Sequence, residues 1–161
     1  MFGFLKKHSD ENTLMSIGNG EVVELSKVDD PVFNTGIMGA GYGFLPADNN
    51  IYSPVSGKVS MIPDTKHGIG ITTSNGTEVL VHMGIDTVEL KGIPFDIAVN
   101  VGDEVNAGQQ VATMDLNKIE EAGKDTTTMV VMTNGNDKGL SVNLKPGNKS
   151  NEDIAAVIVT A

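Results

Sequence analysis

The sequence predicts an all-β fold: a mainly antiparallel domain, either a β-sandwich or a partly closed barrel, with one or two short helical turns. Three observations predict it. Nineteen of the 161 residues are glycine. Valine and isoleucine recur in short runs rather than long blocks, and turn-forming residues interrupt those runs every few positions. The segment "GEVVELSKV" reads as a strand. "VDDPVF" carries a helical turn around Pro31. "PVSGKVSMI" reads as a turn and then a strand, with Val59 and Met61 in alternation. "GIGITTSNGTEVLVHM" reads as a hairpin, and "VGDEVNAGQQVATMDL" as two strands across a turn at Asn106-Ala107-Gly108. In "DLNKIEEAGK", Leu116, Ile119 and Ala122 recur at helical spacing and Gly123 is the stop. "TTTMVVMTN" and "AAVIVTA" are strand-like. No linker, low-complexity tract or long-period repeat appears, so residues 17–161 read as one domain behind a flexible tail over residues 1–16.

Composition removes several classes of function. There is no cysteine, which excludes a disulfide framework, a thiolate nucleophile and a thiolate metal site. The formal net charge is −10 and the pI about 4.5. Nucleic acid is therefore not an expected partner, since phosphate backbones call for clustered Lys and Arg. An acidic surface suits a partner with a basic docking face. No apolar run approaches the ~18–20 residues of a membrane helix. "MFGFLKKHSDEN" has an apolar tip and two lysines but neither the apolar core nor the cleavage site of a signal peptide. No stable membrane insertion is expected.

The informative stretch is "TKHGIGITTSNGTEVLVHMGID", which holds His67 and His82, two of only three histidines. A two-residue loop at Ser74-Asn75 sets His67 directly opposite His82. A loop at Asn75-Gly76 sets Ile69 opposite His82, with His67 its diagonal neighbour on the same face. Either register leaves about 5 to 8 Å between the two Cβ atoms. A three-residue loop reverses the parity and splits the pair. On the second strand Val79, Val81 and Met83 form a core face, while Glu78, Leu80 and His82 take the other. Gly68 and Gly84 leave the rings open to a large partner.

A facing histidine pair supports two chemistries. As a dedicated zinc site it falls short: zinc takes three or four ligands, neither "HxH" nor "HExxH" occurs, and His8 lies in the tail. Opportunistic zinc on His67 and His82 is the most that reading supports. As a phosphoryl site it needs no metal and no cofactor. A neutral imidazole is a nucleophile near neutral pH, and a second imidazole supplies a donor to the phosphoryl oxygens. The plain alternative is two solvated surface histidines.

The run "VHMGIDTVELKG" resembles the active-site segment of the glucose-family IIA component of the bacterial sugar phosphotransferase system. "SPVSGKV", "TKHGIGI", "VNVGDEVNAGQQVATMDL" and "TTTMVVMTN" match that family's landmarks in order, from about Val22 onwards. The resemblance implies a barrel-sandwich hybrid fold and a cytoplasmic phosphoryl carrier, peripheral to a membrane permease. It implies that His82 takes phosphate on Nε2 from the histidine phosphocarrier protein (HPr) and passes it to a cysteine of a permease IIB domain. His67 matches the auxiliary histidine, and Thr65 the threonine that orients it. The Gly84 carbonyl is the implied acceptor for the other His82 nitrogen, with Asp86 and Val88 beside the site. Regulatory protein targets also fall within the family's repertoire. With neither a membrane-length run nor a IIB segment, a stand-alone component is expected.

Three positions depart from the family pattern. Ala40 stands in "GAG", Pro63 before the auxiliary histidine, and Met83 where an aromatic is common. All three are expected on the docking rim, with Phe44 as its candidate aromatic. "PVSGKV" and "VGDEVNAGQQVATMDL" also look like biotinyl and lipoyl carriers, but no "MKM" occurs and Lys138 in "NDKGL" is a poor substitute. A lysostaphin-type zinc peptidase needs a further ligand and an "HxH".

Overall fold

Alternation along the central strands decides where the layers lie. The computed structural model describes residues 12–161. In it, strand β7 (Glu78–His82) buries Val79 and Val81, and Met83 just beyond it, and leaves Leu80 and His82 half-buried on the opposite face. Its neighbours are β6 (Gly68–Thr72) and β11 (Thr128–Met132). These belong to an eight-stranded sheet that continues through β3 (Gly41–Pro46), β2 (Gly20–Glu24) and β13 (Gly147–Lys149) on one side. On the other side come β5 (Gly57–Met61) and β9 (Glu104–Val105). A three-stranded sheet pairs β1 (Thr13–Met15), β14 (Ile154–Thr160) and β12 (Leu140–Leu144). A second pairs β4 (Asn50–Tyr52), β10 (Gln110–Met114) and β8 (Phe95–Ile97). The pairings among these strands are antiparallel. The all-β sandwich expected from the sequence is the fold observed.

The core has two parts. The larger gathers Leu14, Tyr42, Phe44, Ile51, Val111 and their neighbours between the sheets. The smaller lies on the outer face of the long sheet, where Leu25, Val28 and Phe33 pack on Met129, Val131 and Ile85. Strand β11 supplies both. Val130 and Met132 enter the main core, while Met129 and Val131 enter the second. A strand buried on both faces has no polar side, which is why "TMVVM" reads as a continuous apolar run.

The two helices are where periodicity and caps place them. Helix α1 (Pro31–Asn34) has Pro31 at its first position, and the Asp30 carboxylate accepts from Val32 N at 2.9 Å. Helix α2 (Leu116–Glu121) has Asp115 accepting from Lys118 N, buries Ile119, and stops at Gly123 with φ +78°. Ala122, the third periodic position, is exposed.

Several boundaries are corrected. "GEVVELSKV" is a strand only to Glu24, then a 3-10 turn over Leu25–Lys27. Met61 does not alternate with Val59, because a register shift between them turns Met61 outward. β9 and β10 flank the expected turn but pair with β5 and with β4 and β8, not with each other. The expected tail is too long: β1 pairs with β14 and buries Leu14 and Met15, so the folded part reaches back at least to Thr13. Residues 1–11, His8 among them, lie outside the described residues.

Strand β3 has no counterpart in the sequence-based reading because glycine occupies alternate positions. Those glycines are packing requirements. A Cβ on Gly41 would lie 1.7 Å from the Val130 carbonyl oxygen, and one on Gly43 would lie 2.5 Å from Val28 Cγ2. Between them Tyr42 is fully buried and donates to the Met15 carbonyl at 2.6 Å, tying β3 to β1. We predict that Gly41→Ala destabilises the fold by about 2–4 kcal/mol, because the β3–β11 ladder must part to admit a methyl group. Urea unfolding checks this, as a lower midpoint with an unchanged slope.

Candidate functional site

His82 is the last residue of β7 and lies across from Gly68 on β6 and Met129 on β11. This is neither of the two expected registers. The hairpin closes with a three-residue loop, Ser74-Asn75-Gly76, inside a Thr73 N to Thr77 O bond of 2.9 Å. Gly76 takes the left-handed conformation, φ +86°, that such a loop demands. Parity in that register should have split the histidines. They meet because His67 lies outside the strand: β6 begins at Gly68, and Lys66 turns the chain with φ +58°. Released from the strand's alternation, the His67 ring sits 5.0 Å from the His82 ring, edge-on at 83°. Gly68, directly opposite His82, contributes no side chain to compete for that space.

Each ring has further support. Thr65 Oγ1 lies 2.6 Å from His67 Nδ1. When the hydroxyl donates to Nδ1, the His67 proton stays on Nε2. The Phe33 ring of α1 packs against His82 at 4.8 Å and 51°, and is itself buried. The backbone reinforces the pair, since Met83 N donates to the His67 carbonyl at 2.7 Å. After Met83 the chain turns at Gly84, φ +83°, and Ile85 N donates to Asp125 O at 2.9 Å. The buried Thr87 hydroxyl donates back to the Met83 carbonyl at 2.5 Å.

The sequence-predicted residues divide accordingly. Thr65, His67 and His82 converge. Gly84 is buried in the following turn, where a Cβ would come within 2.4 Å of Thr87 Cγ2. Among the described residues no hydrogen bond joins the His82 ring to the Gly84 carbonyl; the ring is held by its neighbours Phe33 and His67. Asp86 is exposed in a left-handed conformation ahead of the 3-10 turn Thr87–Leu90, and Val88 on that turn is 47% exposed. Pro63 and Ala40 are half-buried. Met83 and Phe44 are both 0% exposed, which removes them from any docking rim: they point into the main core. Met83 holds a core position, and among the described residues the phenylalanine ring packed on the site is that of Phe33. Phe33 and Thr87 are the residues that the sequence-based reading missed. A capped turn ending in Phe signals burial of that ring without saying on what, and nothing in the sequence marks Thr87.

Electrostatically the site is quiet at neutral pH. Burial pushes His82 down to about 4, with His67 adding to the shift. Burial lowers His67 as well. Both imidazoles are therefore neutral at pH 7 and keep a lone pair available. Among the described residues no group of three or more metal-ligating side chains forms. A separate groove of about 310 Å³, lined by Met61, Gly70, Glu78, Leu80 and Thr133, lies towards the Glu78 end of β7 and includes neither histidine.

Comparison with known proteins gives a consistent result. Residues 12–138 match the model of the family described as phosphoenolpyruvate-dependent sugar phosphotransferase system, EIIA 1. A glucose-specific EIICBA component from Streptococcus pneumoniae is 52% identical over 120 residues, covering 74% of this chain but only 16% of that protein. A glucose-specific EIIA component from Staphylococcus aureus is 36% identical over 144 residues, 89% of this chain and 86% of that protein. The solved structure of glucose permease IIA from Mycoplasma capricolum superposes with a TM-score of 0.84 at 33% identity, covering 90% of this chain and 94% of that one.

The low His82 pKa has a consequence for stability. Between pH 6.5, the ordinary value, and about 4 the unfolded chain binds a proton that the folded chain does not. The contribution of neutral His82 is thus complete above pH 6.5 and is lost as the pH falls towards 4, by about 3 kcal/mol in all. We predict that His82→Gln flattens this part of the stability profile. Urea midpoints at pH 7 and pH 4.5 should converge in the variant relative to the wild type.

Proposed function

The chain belongs to the phosphoenolpyruvate-dependent sugar phosphotransferase system EIIA 1 family, and from that membership we propose that it carries a phosphoryl group on His82. The observation that supports this most directly is the ring pair itself: a half-buried His82, its proton affinity lowered by burial, beside a His67 whose Nδ1 lies 2.6 Å from Thr65 Oγ1, so that a donating hydroxyl leaves Nε2 to carry the proton. In this reading His82 Nε2 uses its lone pair to attack the phosphorus carried on a histidine of HPr. The new N–P bond forms as the carrier's N–P bond breaks, and the carrier's nitrogen takes back its electron pair. His67 Nε2–H donates to a phosphoryl oxygen, spreading the charge without a metal. The group then leaves His82 for a cysteine thiolate of a IIB domain. Relatives such as the EIICBA component join these parts in one chain by name; here that partner is part of the proposal.

Docking has suitable surface. Val32 on the helical turn that carries Phe33, Ile37 just after that turn, and Val88 beyond the site all stand exposed. Met61 is exposed on β5, the strand beside β6. Apolar residues around a functional centre in an otherwise acidic surface are the composition of a protein-docking face. Among the described residues no helix is long and apolar enough to cross a membrane. We place the carrier at the cytoplasmic side of its permease, with regulatory partners reading the phosphorylated state.

The test supplies phosphoenolpyruvate, the general phosphotransferase enzyme and HPr, and reads intact mass. Wild type should gain one phosphoryl group, labile in mild acid, and His82→Ala should gain none. His67→Gln should accept the group but pass it to a IIB domain on the order of 100-fold more slowly, having exchanged the donor at the phosphoryl oxygens. Stoichiometric uptake by His82→Ala would overturn the assignment.

A further inference from the structure

Phe33 and His67 pack on the His82 ring, while the chain that carries the ring is fixed just beyond it. The backbone is held there through Met83. The Met83 N–H donates to the His67 carbonyl at 2.7 Å, and the Met83 carbonyl accepts from the Thr87 hydroxyl at 2.5 Å. Strand β7 ends at His82, so that carbonyl lies past the ladder and takes this side-chain donor instead. Thr87 is 0% exposed, and its methyl group lies where a Cβ on Gly84 would fall. The buried Thr87 hydroxyl thus closes the turn after His82 on the Met83 carbonyl, while the Met83 amide anchors the neighbouring histidine.

From this geometry we infer that Thr87 is a positioning residue for phosphoryl transfer: acting through Met83, its hydroxyl sets the spacing of His82 from His67. The inference rests on His82 as the phosphoryl acceptor. The Thr87 hydroxyl bonds to the Met83 carbonyl and to neither ring. Its effect is on alignment, where small displacements cost large factors in rate.

The test is single-turnover transfer from phosphorylated HPr to wild type, Thr87→Val and Thr87→Ser. Valine keeps the shape and removes the donor; serine keeps the donor. We expect valine to lower the saturating rate by about tenfold or more, with the half-saturating HPr concentration unchanged within about twofold and serine restoring the rate. Wild-type rates in folded Thr87→Val, a loss confined to the half-saturating concentration, or a serine variant as slow as valine would each overturn the inference. Should valine prevent folding, Thr87→Ala replaces it: a lowered saturating rate that serine does not share upholds the hydroxyl's role, and a wild-type rate refutes it. A folded wild type that takes up no phosphate would remove the reading of His82 itself. The nuclear Overhauser effect between the two imidazoles, which needs no phosphate, then decides positioning: it weakens in Thr87→Val if the hydroxyl sets the spacing and persists if it does not.

Discussion

The register of β7 against β6 is the constraint from which the site follows. It places a residue without a side chain, Gly68, opposite His82, and leaves the space above that glycine for the ring of His67. On the other edge β11 sets Met129 beside His82, and Phe33 packs on the same outer face. A slip of one residue would turn Val79 and Val81 outward and bring the His82 side towards the core. Two such side chains leaving the core cost on the order of 4 kcal/mol. The hydrophobic pattern of one strand therefore enforces the geometry of the chemistry at its end.

The sequence showed the histidine pair through an argument whose conclusion held and whose route did not. Both even registers were reasonable for "TSNGT", yet the loop has three residues, with Thr73 and Thr77 gathered around the Asn75 side chain. What rescued the pairing was a left-handed Lys66, and a lysine gives no warning of a positive φ. The same limit hid β3, whose alternate glycines carry no hydrophobic signal because their role is close approach of backbone. Local signals fared better: the Asp30-Pro31 and Asp115 caps were legible because cap and helix lie within a few residues. Phe33 on His82 joins residues 49 positions apart, and single-sequence periodicity holds no record of such contacts. Met83 misled for a related reason. Its neighbourhood suggested a rim, while its parity with Val79 and Val81 already assigned it to the core.

Charge and function are separated in this molecule. The chain carries a formal charge of −10, yet burial lowers the proton affinity of both histidines, and at His82 the neighbouring His67 adds to the shift. A carboxylate close to either ring would raise its proton affinity and occupy the lone pair that the chemistry needs. In the proposed reading the acidic side chains act at longer range, where they favour a basic partner's approach.

Gly68 carries this separation further. In the proposed reading recognition falls to exposed side chains such as Val32, Ile37 and Val88, whereas the spacing of the two histidines is held from within, by main-chain groups, the buried Thr87 hydroxyl and a residue with no side chain at all. The two can therefore diverge independently. Drift on the surface retunes which protein is bound and how tightly, and none of it touches the distance between the rings. A lineage built on this hairpin can exchange its clientele while its reaction stays as it was.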